Sequence, residues 1–169
     1  VYANNNAGIR IDNGSANIIE NILGMDASGT NAGNIDYGLE NVAGDILVDG
    51  NYIATNTDSG ILIAGGVSSI IQNNHIALNG DNACADNITI TGGSGIVIQQ
   101  NLIENAASLG VDAATSTGNI VIDENTITGS GQDGGNCSGS VKNMGVELGG
   151  NNSQITNNII HSNGGAGLT

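Results

Sequence analysis

The pattern I-x-[IV]-x-x-N-x-I returns at fixed spacing along this chain. Residues 46–53 read ILVDGNYI and residues 96–103 read IVIQQNLI, and in both copies a Gly that opens an aliphatic pair follows nine residues after the Asn. A unit that repeats in this way cannot bury its apolar side alone and must stack on its neighbours. Aligning the motif gives Asn21, Asn51, Asn74, Asn101, Asn125 and Asn158, at intervals of 30, 23, 27, 24 and 33 residues. Dividing each unit at the residue that opens its aliphatic pair (Gly8, Gly38, Gly60, Asn87, Gly110, Gly145) resolves the irregularity. From opener to Asn the distances are 13, 13, 14, 14, 15 and 13, whereas from Asn to the next opener, ending at Gly167, they are 17, 9, 13, 9, 20 and 9. One turn therefore carries all the insertions.

A unit of roughly 22 residues with three short alternating strands is what a parallel β-helix requires. The first strand is patterned on G-I-x-I, as in GIRI, GILI and NITI, and points Ile9, Leu39, Ile61, Ile88, Val111, Val146 and Leu168 inward. The second supplies Ile18, Val48, Ile71, Ile98, Ile122 and Ile155, and the third Leu23, Ile53, Ile76, Ile103, Ile127 and Ile160. Too few residues separate the second and third strands for an ordinary loop. The motif Asn is expected to sit there in the left-handed region, which Asn tolerates, with its amide bonding to the Asn above and below in a ladder. Asn41 falls at an inward position of a first strand, and a buried amide needs partners; the expectation is that the strand ends early there.

Composition agrees. The apolar residues are aliphatic, with no Phe, no Trp and three Tyr, and β-branched residues between Gly and Asn turns favour strands over helices. Arg10 and Lys142 face sixteen Asp and Glu, a net charge of -14, which excludes nucleic acid and disfavours an anionic membrane surface. No run of apolar residues is long enough to span a membrane as a helix. The chain opens at Val1 in mid-pattern, so residues 1–169 are expected to be a single β-helix domain excised from a longer chain. The acidic, Lys-poor, Asn/Gly/Ser/Thr-rich composition with one Cys pair suits a secreted or cell-surface protein.

The Asn at the tight turn and the I-x-x-N-x-I signature resemble the right-handed parallel β-helix repeats of the pectate-lyase-like superfamily, over essentially the whole chain. The fold this implies is all-β, a single-stranded right-handed parallel β-helix of about six full coils, with longer turns in coils one, three and five. That superfamily includes polysaccharide lyases, glycoside hydrolases, epimerases, tailspikes and adhesins, so the resemblance specifies architecture rather than chemistry. It also implies that the insertions (22–37, 75–86 and 126–144) wall a cleft over the outer face of the first strands.

The central column of that face is Arg10, Glu40, Leu62, Thr89, Asp112 and Glu147. Arg10 and Glu40 are expected to pair at the surface, a contact worth little. Asp112 and Glu147 on adjacent coils, with Asp133 and Lys142 from the long loop between them, have two readings: solvated carboxylates, or a pair that shares a proton, holds Ca²⁺ or attacks a sugar. The polygalacturonase-like N-T-D, D-D and G-H-G signatures are absent, and a lyase-like site lacks its cluster of Asp and its nearby base. His75 and His161 read as surface residues. Outward on the second strands stand Asn17, Leu47, Ile70, Val97, Val121 and Gln154, and the apolar run Leu47, Ile70, Val97, Val121 is either β-propensity on a regular sheet or a stripe covered by another segment or subunit. Cys84 and Cys137 lie on inserted loops of one edge and are expected to form a disulfide, the alternative being two unrelated thiols with no zinc-like spacing. The N-x-[ST] triplets at Asn13, Asn87, Asn136 and Asn151 are no more than twenty-seven Asn produce by chance.

The functional expectation is a non-catalytic extracellular segment, acting as a structural, adhesin or assembly module through self-association or flanking domains and without a cofactor. The alternative is a carbohydrate-active enzyme or glycan-binding β-helix using Asp112, Glu147 and Asp133, with Ca²⁺ as a candidate ion.

Overall fold

The computed structural model describes residues 1–80, 84–116, 118–132 and 143–169. Three strands per coil stack into three parallel six-stranded sheets. Sheet one comprises Ile9–Ile11, Leu39–Asn41, Ile61–Ile63, Ile88–Ile90, Val111–Ala113 and Val146–Leu148. Sheet two comprises Ser15–Ile19, Asp45–Asp49, Ile70–Gln72, Ile96–Gln99, Ile120–Asp123 and Gln154–Thr156, and sheet three Ile22–Leu23, Tyr52–Ala54, His75–Ala77, Leu102–Glu104, Thr126–Thr128 and Ile159–His161. Every pairing is parallel and joins equivalent positions of successive coils, such as Val48 with Ile71 and Ile71 with Ile98. Like therefore stacks on like, about 4.8 Å apart. The expected inward residues form one aliphatic core, except Leu168, which is exposed; within it Ile53, Ile76, Ile103 and Ile127 are fully buried, each such side chain contributing about 2 kcal/mol.

The Asn ladder forms as expected at the corner between sheets two and three. The Nδ2 amides of Asn51, Asn74, Asn101 and Asn125 each donate to the Oδ1 of the next rung at 2.9 Å, the last to Asn158, and Asn21 reaches Asn51 at 3.2 Å. Each rung's backbone N–H donates to the same oxygen, and its amide also donates to carbonyls such as Val48 and Gln72 for Asn74. One expectation about this corner is corrected. The left-handed residue precedes the Asn, being Glu20, Gly50, Asn73, Gln100, Glu124 or Asn157. The bend must come first so that the Asn side chain turns inward and its amide lies along the stack.

A second ladder, absent from the sequence reading, lies five residues further on in several coils. Asn4 donates to Asn34, Asn34 to Asn56, Asn56 to Asn79 and Asn79 to Asn87, all at 2.8 to 2.9 Å. It explains why most openers are Gly. A Cβ on Gly8, Gly38, Gly60 or Gly145 would sit 2.7 to 2.8 Å from the amide nitrogen of Asn34, Asn56, Asn79 or Asn163 respectively. In coil four the ladder position is Ala106 instead, which leaves room for a side chain on the opener, and Asn87 supplies the rung from there. The bend before this ladder places even Thr55 and Leu78 at positive φ, a conformation costing a non-Gly residue about 1–2 kcal/mol that the stacked amides hold in place.

Asn41 ends the first strand of coil two without leaving its inward position, contrary to the early end expected. It is fully buried, and its amide closes the following turn by accepting from Gly44 N at 2.9 Å and donating to Gly44 O at 2.6 Å.

The opener and the ladder residue should thus be exchangeable only as a pair. Asn87→Gly alone removes the Asn87 Oδ1 acceptor from the Asn79 amide, leaving it only Ile53 O, and should cost about 1–3 kcal/mol, and Ala106→Asn alone should overpack the same space. The double variant should recover most of the loss in a denaturant-melt double-mutant cycle; additive losses would refute the exchange.

Candidate functional site

The outer face of sheet one carries the expected column in register: Arg10 beside Glu40, Glu40 beside Leu62, Leu62 beside Thr89, Thr89 beside Asp112, and Asp112 beside Glu147. Arg10 Nη1 reaches Glu40 Oε2 at 2.8 Å and its Nε reaches Asp12 at 2.6 Å. Both contacts are exposed and raise an already high guanidinium pKa, the Asp12 hydrogen bond first. Arg10 is thus committed at one end of the column. Asp112 Oδ1 accepts from the backbone N–H of Ala114 at 2.9 Å, a local turn bond. Asp133, Lys142 and Cys137 lie outside the described residues, and Cys84 is not a free thiol.

The most perturbed carboxylate of this face is Asp86, which sequence reasoning passed over. It sits one residue before the coil-four opener, in the short return from the coil-three insertion, and is 7% exposed. Its Oδ1 accepts from Leu109 N at 2.9 Å and its Oδ2 from Thr89 Oγ1 at 3.0 Å, while Ser59 and Thr89 hydroxyls meet at 2.7 Å. Asp86, the last residue of coil three, thereby meets Leu109 at the end of coil four, and through Thr89 of coil four it reaches Ser59 at the end of coil two. Burial pushes its carboxyl up to about 6; the Leu109 and Thr89 hydrogen bonds pull the other way and the Asp112 charge adds to the rise. On the same edge, burial and then the charges of Asp58, Glu40 and Asp36 raise the Tyr37 hydroxyl. The only sequence signal for Asp86 was its place before an opener; its burial needed the neighbouring coil.

The aliphatic column of sheet two is in register across four coils, Leu47 with Ile70, Ile70 with Val97 and Val97 with Val121, ending against Asn17 and Gln154. Its members are half-buried by one another. Beside it the outward column of sheet three exposes Ile22, Leu102 and Ile159. His75 lies in that column, its ring edge-on to Tyr52 at 4.8 Å and its Nε2 2.8 Å from Glu104 Oε1. His161 lies three coils away on the same sheet, against Ser162 at 2.9 Å. Neither histidine joins Asp112 or Glu147, and among the described residues no group of three or more His, Cys, Asp or Glu is placed to hold a metal ion. Two shallow depressions, about 330 Å³ beside Asn13, Asp45 and Val67 and about 310 Å³ beside Val1, Ile22 and Met25, contain none of the sheet-one carboxylates.

Asp86 makes a signed prediction. Its folded pKa is raised, so the folded chain binds a proton that the unfolded chain releases between about 6 and the ordinary carboxylate range. Its penalty is therefore full above about 6 and relieved as pH falls through that window. Asp86→Asn should raise stability at neutral pH by about 2–3 kcal/mol at most and flatten the fall in melting temperature as pH rises from about 4 to about 6. An unchanged pH profile would show that Asp86 ionises without penalty.

The comparisons with known proteins agree with this architecture. No curated protein and no solved structure matches the chain. The family model described as the right handed beta helix region matches residues 1–148. With its three parallel sheets and stacked Asn corner, the chain belongs to the right-handed β-helix family, consistent with the pectate-lyase-like superfamily.

Proposed function

We propose that this protein is a non-catalytic β-helical module, an extracellular structural or adhesin segment that works by assembling with copies of itself or with flanking domains. The observation that carries this reading is the in-register aliphatic column Leu47, Ile70, Val97 and Val121, continued around the corner by exposed Ile22, Leu102 and Ile159. A regular apolar stripe on a rigid rod suits a partner surface of the same regularity. The commitment of the chemical groups supports it too. Arg10 is held by two carboxylates, and Asp86 and Asp112 spend oxygens on neighbouring backbone N–H groups. A bridge between Cys84 and Cys137 belongs to the same proposal, as a staple suited to an oxidising exterior.

The second reading, a carbohydrate-active enzyme or glycan-binding helix, rests on Asp86 and Asp112. A carboxyl raised to about 6 beside a second carboxylate is the pairing that acid-assisted glycoside chemistry uses.

Two measurements separate the readings. Leu47→Asp with Val97→Asp should leave the circular dichroism spectrum intact and shift sedimentation from an associated to a monomeric species. Unchanged sedimentation would remove the stripe from the assembly. Incubation with a broad panel of neutral and acidic glycans, with and without Ca²⁺, should yield no turnover; turnover lost in Asp86→Asn, Asp112→Asn or Glu147→Gln would instead establish the enzyme.

A further inference from the structure

We propose that Asn13 is a site of spontaneous backbone modification, where the Asn-Gly bond converts through a succinimide to aspartate and isoaspartate. The dipeptide Asn-Gly occurs three times, at 13–14, 79–80 and 163–164. The fold treats the copies differently.

At the second and third copies the ladder holds both reacting groups. The Asn79 carboxamide is fully buried, its Oδ1 accepting from Asn56 and its Nδ2 donating to Asn87 and Ile53. The next N–H, that of Gly80, is spent on Asn56 O at 3.0 Å. Asn163 Oδ1 accepts from Ser130 N at 3.0 Å, and Gly164 N–H donates to Ser130 O at 2.8 Å. In neither copy can the Gly nitrogen approach the side-chain carbon without breaking cross-coil bonds.

Asn13 stands in the exposed turn between the first two strands. Its Oδ1 accepts the Gly14 N–H at 2.9 Å, which brings nucleophile and carboxamide together, and the dipeptide's bond to the next coil is at the Gly14 carbonyl, which accepts from Asp45 N at 3.1 Å and takes no part in ring closure. Gly14 has φ +86° and nothing within 4 Å of where a Cβ would be, so the turn has room to rearrange. Holding the reacting atoms together lowers the barrier to closure.

The chemistry needs only solvent. Gly14 N, losing its proton, forms a bond to Asn13 Cγ; the Cγ–Nδ2 bond breaks and ammonia leaves. Water then opens the ring at one of its two carbonyls: addition at Cγ breaks the Gly14 N–Cγ bond and gives aspartate, whereas addition at the Asn13 backbone carbonyl breaks its bond to Gly14 N and leaves the chain running through the side chain as isoaspartate. Either product places a new carboxylate beside Asp12, the partner of Arg10 at 2.6 Å, and at the rim of the depression that holds Asp45.

The test is peptide mapping by mass spectrometry of the folded chain after prolonged incubation at neutral pH, with isoaspartate detected by enzymatic methylation. Asn13 should convert roughly tenfold faster or more than Asn79 and Asn163. In denaturant all three should converge, and Asn13→Gln should remove the first charge variant that appears. Equal rates in the folded chain, or an Asn13 that stays intact while it reacts in denaturant, would overturn the proposal.

Discussion

Stacking equivalent residues one coil above another forces the buried amides of this protein to find partners along the axis, and everything else in the structure accommodates that demand. An unpaired buried amide costs about 1–3 kcal/mol. At the motif corner each Asn meets it by receiving two N–H groups from the rung before and giving its own to the rung after. The same demand at the next corner dictates glycine at the openers, because the amide occupies the place of a Cβ. Coil four shows that the requirement is for a rung and not for a particular position: Asn87 supplies from the opener what Ala106 cannot supply from the corner. Where the corner carries Ser130, the hydroxyl is buried without a side-chain partner, a local weakness in an otherwise satisfied stack.

The ladders also settle where strain is tolerated. Left-handed residues before each rung include Glu20, Gln100, Thr55 and Leu78, none of which favours that conformation. The side chains of Glu20, Leu78 and Gln100 are exposed, whereas the Thr55 hydroxyl donates to Gly24 O at 2.7 Å; the cost is offset by the neighbouring rung, so the exposed positions are free to vary while the bend is not. Such freedom outside and rigidity inside is the condition under which a solenoid surface can be adapted to a partner.

Electrostatics separates two kinds of carboxylate. Exposed Asp26 is held low by the Ser28 hydroxyl and by backbone N–H groups of its own turn, whereas Asp86 is raised because the coil stack removes it from water faster than its hydrogen bonds compensate. With sixteen acidic residues and two basic ones the surface as a whole repels anions. A neutral or cationic partner therefore meets the least resistance.

The sequence by itself determined the coil. Its Asn spacing, the alternating aliphatics and the placement of insertions in one turn specify strands, register and core, because a period-two pattern within a repeat leaves one way to bury the inward aliphatic of each strand. Outward columns followed from that register, so Arg10 with Glu40 and the run Leu47, Ile70, Val97, Val121 were legible before any coordinates. Only the tertiary structure decided which residue bends the corner, that a second ladder exists, and that Asp86 is buried. Those outcomes depend on where a side chain on one coil meets the backbone of the next, a contact between residues about two dozen apart whose geometry no local spacing encodes.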